Sequence, residues 1–222
     1  MQMTVPTYYT ADMVRALPDD GKRYETVHGE LLVTPAPRAW HQEIVARVFL
    51  RLRRYSEAQR LGHVMMSPAD ISWSADTLVQ PDVFVVHLDE ARTLDWSRMR
   101  HLLLAVEVVS PSSIRADRFT KRRLYQEVRV PCYWVVDPDQ RTVEAWAPDD
   151  TFPTVERERV TWQPAGAGEV FVLELPSCSS RFERTVERGG GRPAGHLAPF
   201  TLKPRGFRCA SLEGHMQHGL AR

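Results

Sequence analysis

Between Leu102 and Val109 the chain reads Leu-Leu-Leu-Ala-Val-Glu-Val-Val, an apolar run with one charge, Glu107, and it stops at Ser110-Pro111. A short apolar run bounded by turn residues is the pattern of a strand covered on both faces. A chain carrying such a strand must supply a packed layer above and another below it. The acid inside it adds a second constraint. An ionised carboxylate is costly to bury unless a cation or a metal meets it, so Glu107 predicts a counter-charge reaching into the core.

The rest of the chain supplies those layers. Residues 9–17 predict a short helix capped by Thr10 and stopped at Pro18-Asp19-Asp20-Gly21. Arg23 to Val33 predicts a hairpin turning at His28-Gly29, with Tyr24 and Thr26 at alternate positions. Residues 40–60 give the clearest helix: Ile44, Val45, Val48, Phe49 and Leu52 recur at helical spacing, and Gly62 follows as a C-terminal stop. Two further strand signals, 63–73 and 77–86, precede the Glu107 run. A second helix is predicted over 115–129, opened by Ser112 or Ser113. Strands follow at 131–137 and from Thr142, with a last one at 168–175. Helices interleaved with strands in this order predict an α/β fold with a mixed central β-sheet flanked by helices.

Hydrophobic residues make up 43% and charged residues 26% of the 222, the composition of an ordinary globular chain. No apolar run approaches the roughly 20 residues of a membrane span. The N-terminus has no basic stretch followed by an apolar one, so the expected compartment is the cytoplasm and no membrane partner is expected. Cys132, Cys178 and Cys209 are odd in number and far apart, which argues against a disulfide framework or a cysteine zinc site. Charge is uneven. Residues 181–222 hold eight Lys/Arg against three Asp/Glu, and the preceding 180 are net −4. Seven of the 12 glycines also fall in that tail. We therefore divide the chain into a folded domain over 1–176 and a poorly ordered Gly/Arg-rich extension over 177–222. An acidic body that binds nucleic acid needs a local basic surface or a divalent metal.

Two more segments carry chemistry. Asp82, after Gln80-Pro81, opens the apolar strand Val83–Val86. Asp82 and Glu107 on neighbouring strands are the pattern for holding one hard divalent cation, with room left for water and a phosphate oxygen. On the second helix Asp117, Lys121 and Tyr125 are spaced four apart and share a face. Lys121 is placed there to orient or deprotonate an attacking water, or to stabilise charge on phosphate. Plainer readings stand beside these. Asp82 alone is a turn cap, Glu107 the partner of a buried arginine, Asp117–Lys121 a surface salt bridge worth under about 1 kcal/mol, and Tyr125 a packing residue.

The motifs Arg23-Tyr24-Glu25, His28-Gly29-Glu30-Leu31, Pro35-Ala36-Pro37 with His41, Gln80-Pro81-Asp82, Val106 to Ser113, Asp117 with Lys121 and Tyr125, and Val130-Pro131 to Pro138 occur in one order over roughly residues 8–175. In this the chain resembles the Uma2 family (DUF820) of the PD-(D/E)XK, restriction-endonuclease-like superfamily. The resemblance implies a restriction-endonuclease-like core, Mg²⁺ or Mn²⁺ held by Asp82 and Glu107, and endonucleolytic hydrolysis of phosphodiester bonds in DNA. The superfamily's usual lysine follows the second acid by two positions, where this chain has Val109; Lys121 fits a migrated position on the next helix. Glu30 and His41 match motifs near the implied site. Glu30 would bind metal or orient water, and His41 would contact phosphate or cap its helix. Related nucleases often cut as dimers, so a homodimer is also implied. The rival readings are a non-catalytic nucleic-acid- or partner-binding module on the same fold, and a structural protein whose acids form a buried salt-bridge network. No helix-turn-helix, zinc-finger or RNA-recognition motif is present.

Overall fold

The computed structural model describes residues 8–175; the tail expected over 177–222, with Cys178 and Cys209, lies outside them. Helix α1 (Ala11–Arg15) begins where Thr10 accepts the Met13 N–H on its side chain. Strands β1 (Arg23–Val27) and β2 (Glu30–Thr34) form the expected hairpin. Its turn needs two left-handed residues, His28 (φ 50°) and Gly29 (φ 79°). A Cβ on Gly29 would also lie 2.2 Å from the Tyr8 ring, so the second position admits glycine alone.

Helix α2 (Ala39–Gln59) buries Ile44, Val45, Val48 and Leu52 and leaves its arginines outward or half-buried. The left-handed C-cap falls on Arg60 (φ 54°), not on Gly62 as the sequence suggested. Gly62 serves a different need: a side chain there would meet the Val86 carbonyl oxygen at 2.7 Å.

Each of the next two strand signals splits at a proline, which cannot donate to a ladder. Around Pro68 the chain forms β3 (His63–Met66) and β4 (Ile71–Ser74); before Pro81 lies β5 (Thr77–Val79) and after it β6 (Val83–Val86). The halves go to different sheets. Helix α3 (Leu88–Ala91) and a 3₁₀ turn at Trp96–Arg98 lead to β7 (Leu102–Val108). A π-helical segment (Ala116–Lys121) continues into α4 (Arg122–Glu127). Then come β8 (Tyr133–Asp137), β9 (Thr142–Trp146), β10 (Thr154–Glu156), β11 (Arg159–Trp162) and β12 (Phe171–Glu174).

The central sheet has the order β10-β9-β8-β7-β6-β3, and only its β7–β8 pair is parallel. A parallel pair needs a crossover, and the π/α4 helix provides it. Leu104, Val106 and Val108 point into a core beneath α2 and the β11–β12 ribbon. Ala105 and the Phe84, Tyr133 and Val135 side chains point the other way, into a core closed by the β2-β1-β5-β4 sheet and α4. Glu107 belongs by alternation to this second face. The mixed α/β sandwich is thus the expected fold. Among the described residues no helix is long and apolar enough to cross a membrane.

Candidate active site

On antiparallel β6 and β7, Val83 lies opposite Val106. Continued one step past that pair, the register sets Asp82 opposite Glu107, and both line the same pocket. Directly opposed residues have Cβ atoms about 5 Å apart, close enough for two carboxylates to repel or to share a cation. Both are buried, at 2% and 1% exposure. Asp82 is ringed by donors: Arg23 Nη1 at 2.9 Å, His41 Nε2 at 3.1 Å and the Val108 N–H at 2.9 Å. Burial works against its charge, but the His41 hydrogen bond, the Arg23 guanidinium and the Val108 amide outweigh burial and hold the carboxyl at a pKa of about 2.

Glu107 meets different partners. Lys121 Nζ donates to its Oε1 at 3.1 Å, and the Tyr125 hydroxyl donates to the same oxygen at 3.1 Å. The same ammonium pairs with Glu25 Oε2 at 2.8 Å and with Asp117 Oδ1 at 3.3 Å. The last contact lacks hydrogen-bond geometry and leaves that oxygen without a directed donor. Burial disfavours the Lys121 charge, but Glu107, Glu25 and Asp117 raise its pKa well above the usual lysine value. Burial likewise raises Glu107 well above the carboxylate range. Lys121 offsets part of that, and the Asp117, Asp82 and Glu25 carboxylates add to it. Asp117 is raised for the same first reason. Three acids around one ammonium cannot all stay ionised cheaply.

Asp117 and Lys121 both lie on the π-helical segment, whose wider turn changes the phase of the helix where it passes the strand ends. Tyr125, one α-turn further, stays on the same face. The lysine is itself unusual. The chain has 29 basic residues, and lysine accounts for only Lys22, Lys121 and Lys203. Where arginine serves almost everywhere else, a compact ammonium at the centre of the acids is a chemical choice.

A pocket of about 300 Å³ opens onto this cluster. Asp82, Glu107, Asp117 and Lys121 line it together with Arg23, Arg38, His41 and the Ser110–Ser113 turn. Four buried carboxylates (Glu25, Asp82, Glu107, Asp117) face two permanent cations, Arg23 and Lys121. The remaining negative charge and the all-oxygen donors suit a hard divalent cation, and Asp82 with Glu107 would hold it. Among the described residues no three His, Cys, Asp or Glu side chains form a ready cage. The described cysteine, Cys132, is buried in the core beneath α2 and offers no soft-ligand alternative here.

Asp82, Glu107, Asp117, Lys121, Tyr125 and His41 therefore converge. Glu30 does not: it is exposed at the turn end of the hairpin, opposite Val27, and lies outside the pocket lining. The Asp117–Lys121 pair is buried, not superficial, and the arginine at the site meets Asp82 and not Glu107. Sequence reasoning passed over Glu25 and Arg23 as site residues. Tyr24 and Thr26 drew attention as the alternating pair; burial rises along both phases of the strand, and it is the other phase, Arg23 and Glu25, that faces the acids and Lys121. Alternation puts Arg23 and Glu25 on one face of the strand, and which layer that face meets is visible only once the fold is known.

Comparison with known proteins agrees with this architecture. The model of the Uma2 family, described as "Putative restriction endonuclease", matches residues 11–178. A crystal structure titled as that of a "putative nuclease belonging to DUF820" from Anabaena variabilis superposes with a TM-score of 0.62 at 19% identity, covering 77% of this chain and 97% of the other. At that identity the likeness shows the fold. No curated protein matches the chain.

Proposed function

The chain belongs to the Uma2 family, and on that footing we propose that it is a divalent-metal-dependent endonuclease hydrolysing phosphodiester bonds in DNA. The observation that carries the reading is the opposition of Asp82 and Glu107 at the floor of a pocket, with the Lys121 ammonium 3.1 Å from Glu107. Mg²⁺ or Mn²⁺ held by the two acids would lower the pKa of a bound water and neutralise phosphate charge.

The side chains do the rest. Three carboxylates hold Lys121 in its charged form, so it acts as a hydrogen-bond donor and not as a base. In that state it orients the attacking water or takes up the negative charge that grows on the phosphate oxygens. Arg23 and Arg38 line the pocket, where they meet the phosphate backbone and counter the repulsion of an acidic body. His41 and the Val108 amide keep Asp82 ionised and fix its orientation. Tyr125 fixes the rotamer of Glu107.

The test is relaxation of supercoiled plasmid with Mg²⁺, Mn²⁺ or EDTA, using wild type beside Asp82→Ala, Glu107→Ala and Lys121→Ala, with circular dichroism to show that each is folded. Metal-dependent nicking that vanishes in all three variants is expected. Nicking that survives the three changes would remove this site. A specific observation favours a second reading: Lys121 already pairs with three of the acids. If no strand is cut and Mg²⁺ leaves the melting temperature unchanged, the cluster is a structural salt-bridge network, because a ligand bound only by the native state must raise it.

A further inference from the structure

We propose that Glu25 is the positioning residue for Lys121, anchored through one oxygen on the turn that presents Asp82 and through the other on the ammonium. The inference rests on the nuclease reading for its catalytic consequence, and on geometry alone for the positioning. Glu25 Oε1 accepts the Gln80 N–H at 2.7 Å, and Oε2 stands 2.8 Å from Lys121 Nζ. That is the shortest of the three acid contacts the lysine makes. Glu25 is 1% exposed and does not line the pocket, so it cannot touch substrate. It acts from behind.

Its neighbour two positions earlier on the same face repeats the arrangement with opposite charge. Arg23 donates to the Gln80 carbonyl at 3.2 Å and to Asp82 Oδ1 at 2.9 Å. The Gln80 residue is therefore gripped at its N–H by Glu25 and at its carbonyl by Arg23. Each gripping side chain also holds one member of the site. Ser67 Oγ adds bonds to the Gln80 and Pro81 carbonyls at 3.0 and 2.7 Å. In this way β1 ties the turn before Asp82 to a lysine borne by a helix far along the chain. A lysine displaced from its usual place beside the second acid loses the strand that would fix it. Glu25 supplies that fixation from a third element.

The test pairs a measurement that needs no turnover with one that does. In the full chain, labelling by an amine-reactive reagent is read by mass spectrometry at Lys121, with the exposed Lys22 as internal reference. Glu25→Gln keeps the size of the side chain and an acceptor for Gln80 but removes the charge. Labelling of Lys121 relative to Lys22 is expected to rise several-fold. In the plasmid assay, kcat is expected to fall by about 10- to 100-fold, as for other residues that orient a reacting group, with KM and the half-saturating Mg²⁺ concentration near wild type. Unchanged labelling together with unchanged kcat overturns the proposal, as does a rise in KM at constant kcat. Should Glu25→Gln fail to fold, Glu25→Asp keeps the charge but withdraws it by one methylene, and a raised labelling ratio with reduced kcat is again the supporting result. If wild type cuts nothing while Glu25→Gln still exposes Lys121, the positioning role stands and only the nuclease reading falls.

Discussion

Three residues apart on the same helical segment, Arg118 and Lys121 each gather carboxylates, and the two clusters are built to opposite ends. Arg118 Nη2 donates to Asp137 Oδ2 at 3.0 Å and its Nε lies 2.7 Å from Glu144 Oε1. Those acids come from the end of β8 and from β9, and none of the three residues lines the pocket beside Asp82. Asp137 also accepts the Asp139 and Gln140 N–H groups, so this carboxylate closes a turn as well as a charge pair. Lys121 sits among three acids at the floor of an open pocket, and one oxygen of Asp117, Oδ1, is left without a directed donor. The first cluster meets two acids with one planar guanidinium, through a hydrogen bond to Asp137 and an ion pair from Nε to Glu144 that lacks hydrogen-bond geometry. The second uses a point charge and leaves acid capacity unspent. What separates them is the number of acids on one cation and the open pocket beside it; buried acid in excess next to a pocket marks a place for something to bind.

The largest expected effect comes from exchanging the cations. Lys121→Arg preserves the charge but puts a broad planar group where the acids are spaced for an ammonium. Plasmid cleavage should fall by at least about 100-fold, the scale of losing one oriented donor at a reacting centre. Arg118→Lys should leave cleavage at the wild-type level and cost about 1 kcal/mol in denaturant unfolding, because one point charge cannot serve both Asp137 and Glu144 as well. Equal loss of cleavage in both variants would erase the distinction between the clusters.

Much of this was legible in the chain. Glu107 stands out because it interrupts an apolar run, and Asp82 because an acid opens another; a buried strand makes any charge conspicuous. The helix face of Asp117, Lys121 and Tyr125 followed from spacing. Three things were not readable. The π-helical turn leaves no periodic mark in a segment of six residues. Proline divided each of two strand signals between sheets, since hydropathy reports burial and not which sheet does the burying. Strands β10 and β11 span three and four residues; β11 does alternate, with Val160 and Trp162 buried, but so short a run carries little periodic signal. Glu25 escaped for a related reason: on a half-polar hairpin strand, alternation fixes two phases but does not say which faces inward until the opposing layer is known.

The site around Asp82 and Lys121 should also respond to acidification. Its hydrogen bonds and the Arg23 guanidinium hold the Asp82 carboxyl at about 2 in the folded chain, below the ordinary aspartate value of 3.8. Its folded value is the lower, so its contribution to stability is complete above about pH 4 and is lost as the pH falls towards 2. The full shift corresponds to about 2 kcal/mol. Glu107 and Asp117 are shifted the other way, so their charged forms cost stability and protonation relieves them. Urea unfolding followed downward from neutral pH should therefore hold level or rise slightly before it drops below about pH 4. Asp82→Asn should remove the acid-side drop attributable to this residue; an undiminished drop in that variant would assign it to other carboxylates. Since a bound metal must displace protons from the raised acids, the half-saturating Mg²⁺ concentration should decrease as pH rises.

The smallest effect separates the clusters by sign. Glu107→Gln removes one of three carboxylates crowding a single ammonium. The amide oxygen still accepts from Tyr125 and Lys121, and Glu25 and Asp117 remain to hold the lysine charged. What disappears is a buried charge that its surroundings push towards the neutral form. The variant should gain about 1 kcal/mol at neutral pH, a rise in melting temperature of about 2–4 °C for a domain of this size, while cleavage is lost. Such a gain on disarming a site is the usual signature of stability surrendered for function. Asp137→Asn, the matching change in the other cluster, loses a carboxylate that is fully used. One amide oxygen cannot at once accept from Arg118, Asp139 and Gln140 in the same geometry, so melting should shift downward by a similar amount. Two differential scanning traces against wild type decide the matter. Opposite signs mean that the Lys121 cluster carries surplus acid; a downward shift in both means that it is as closed as the one around Arg118.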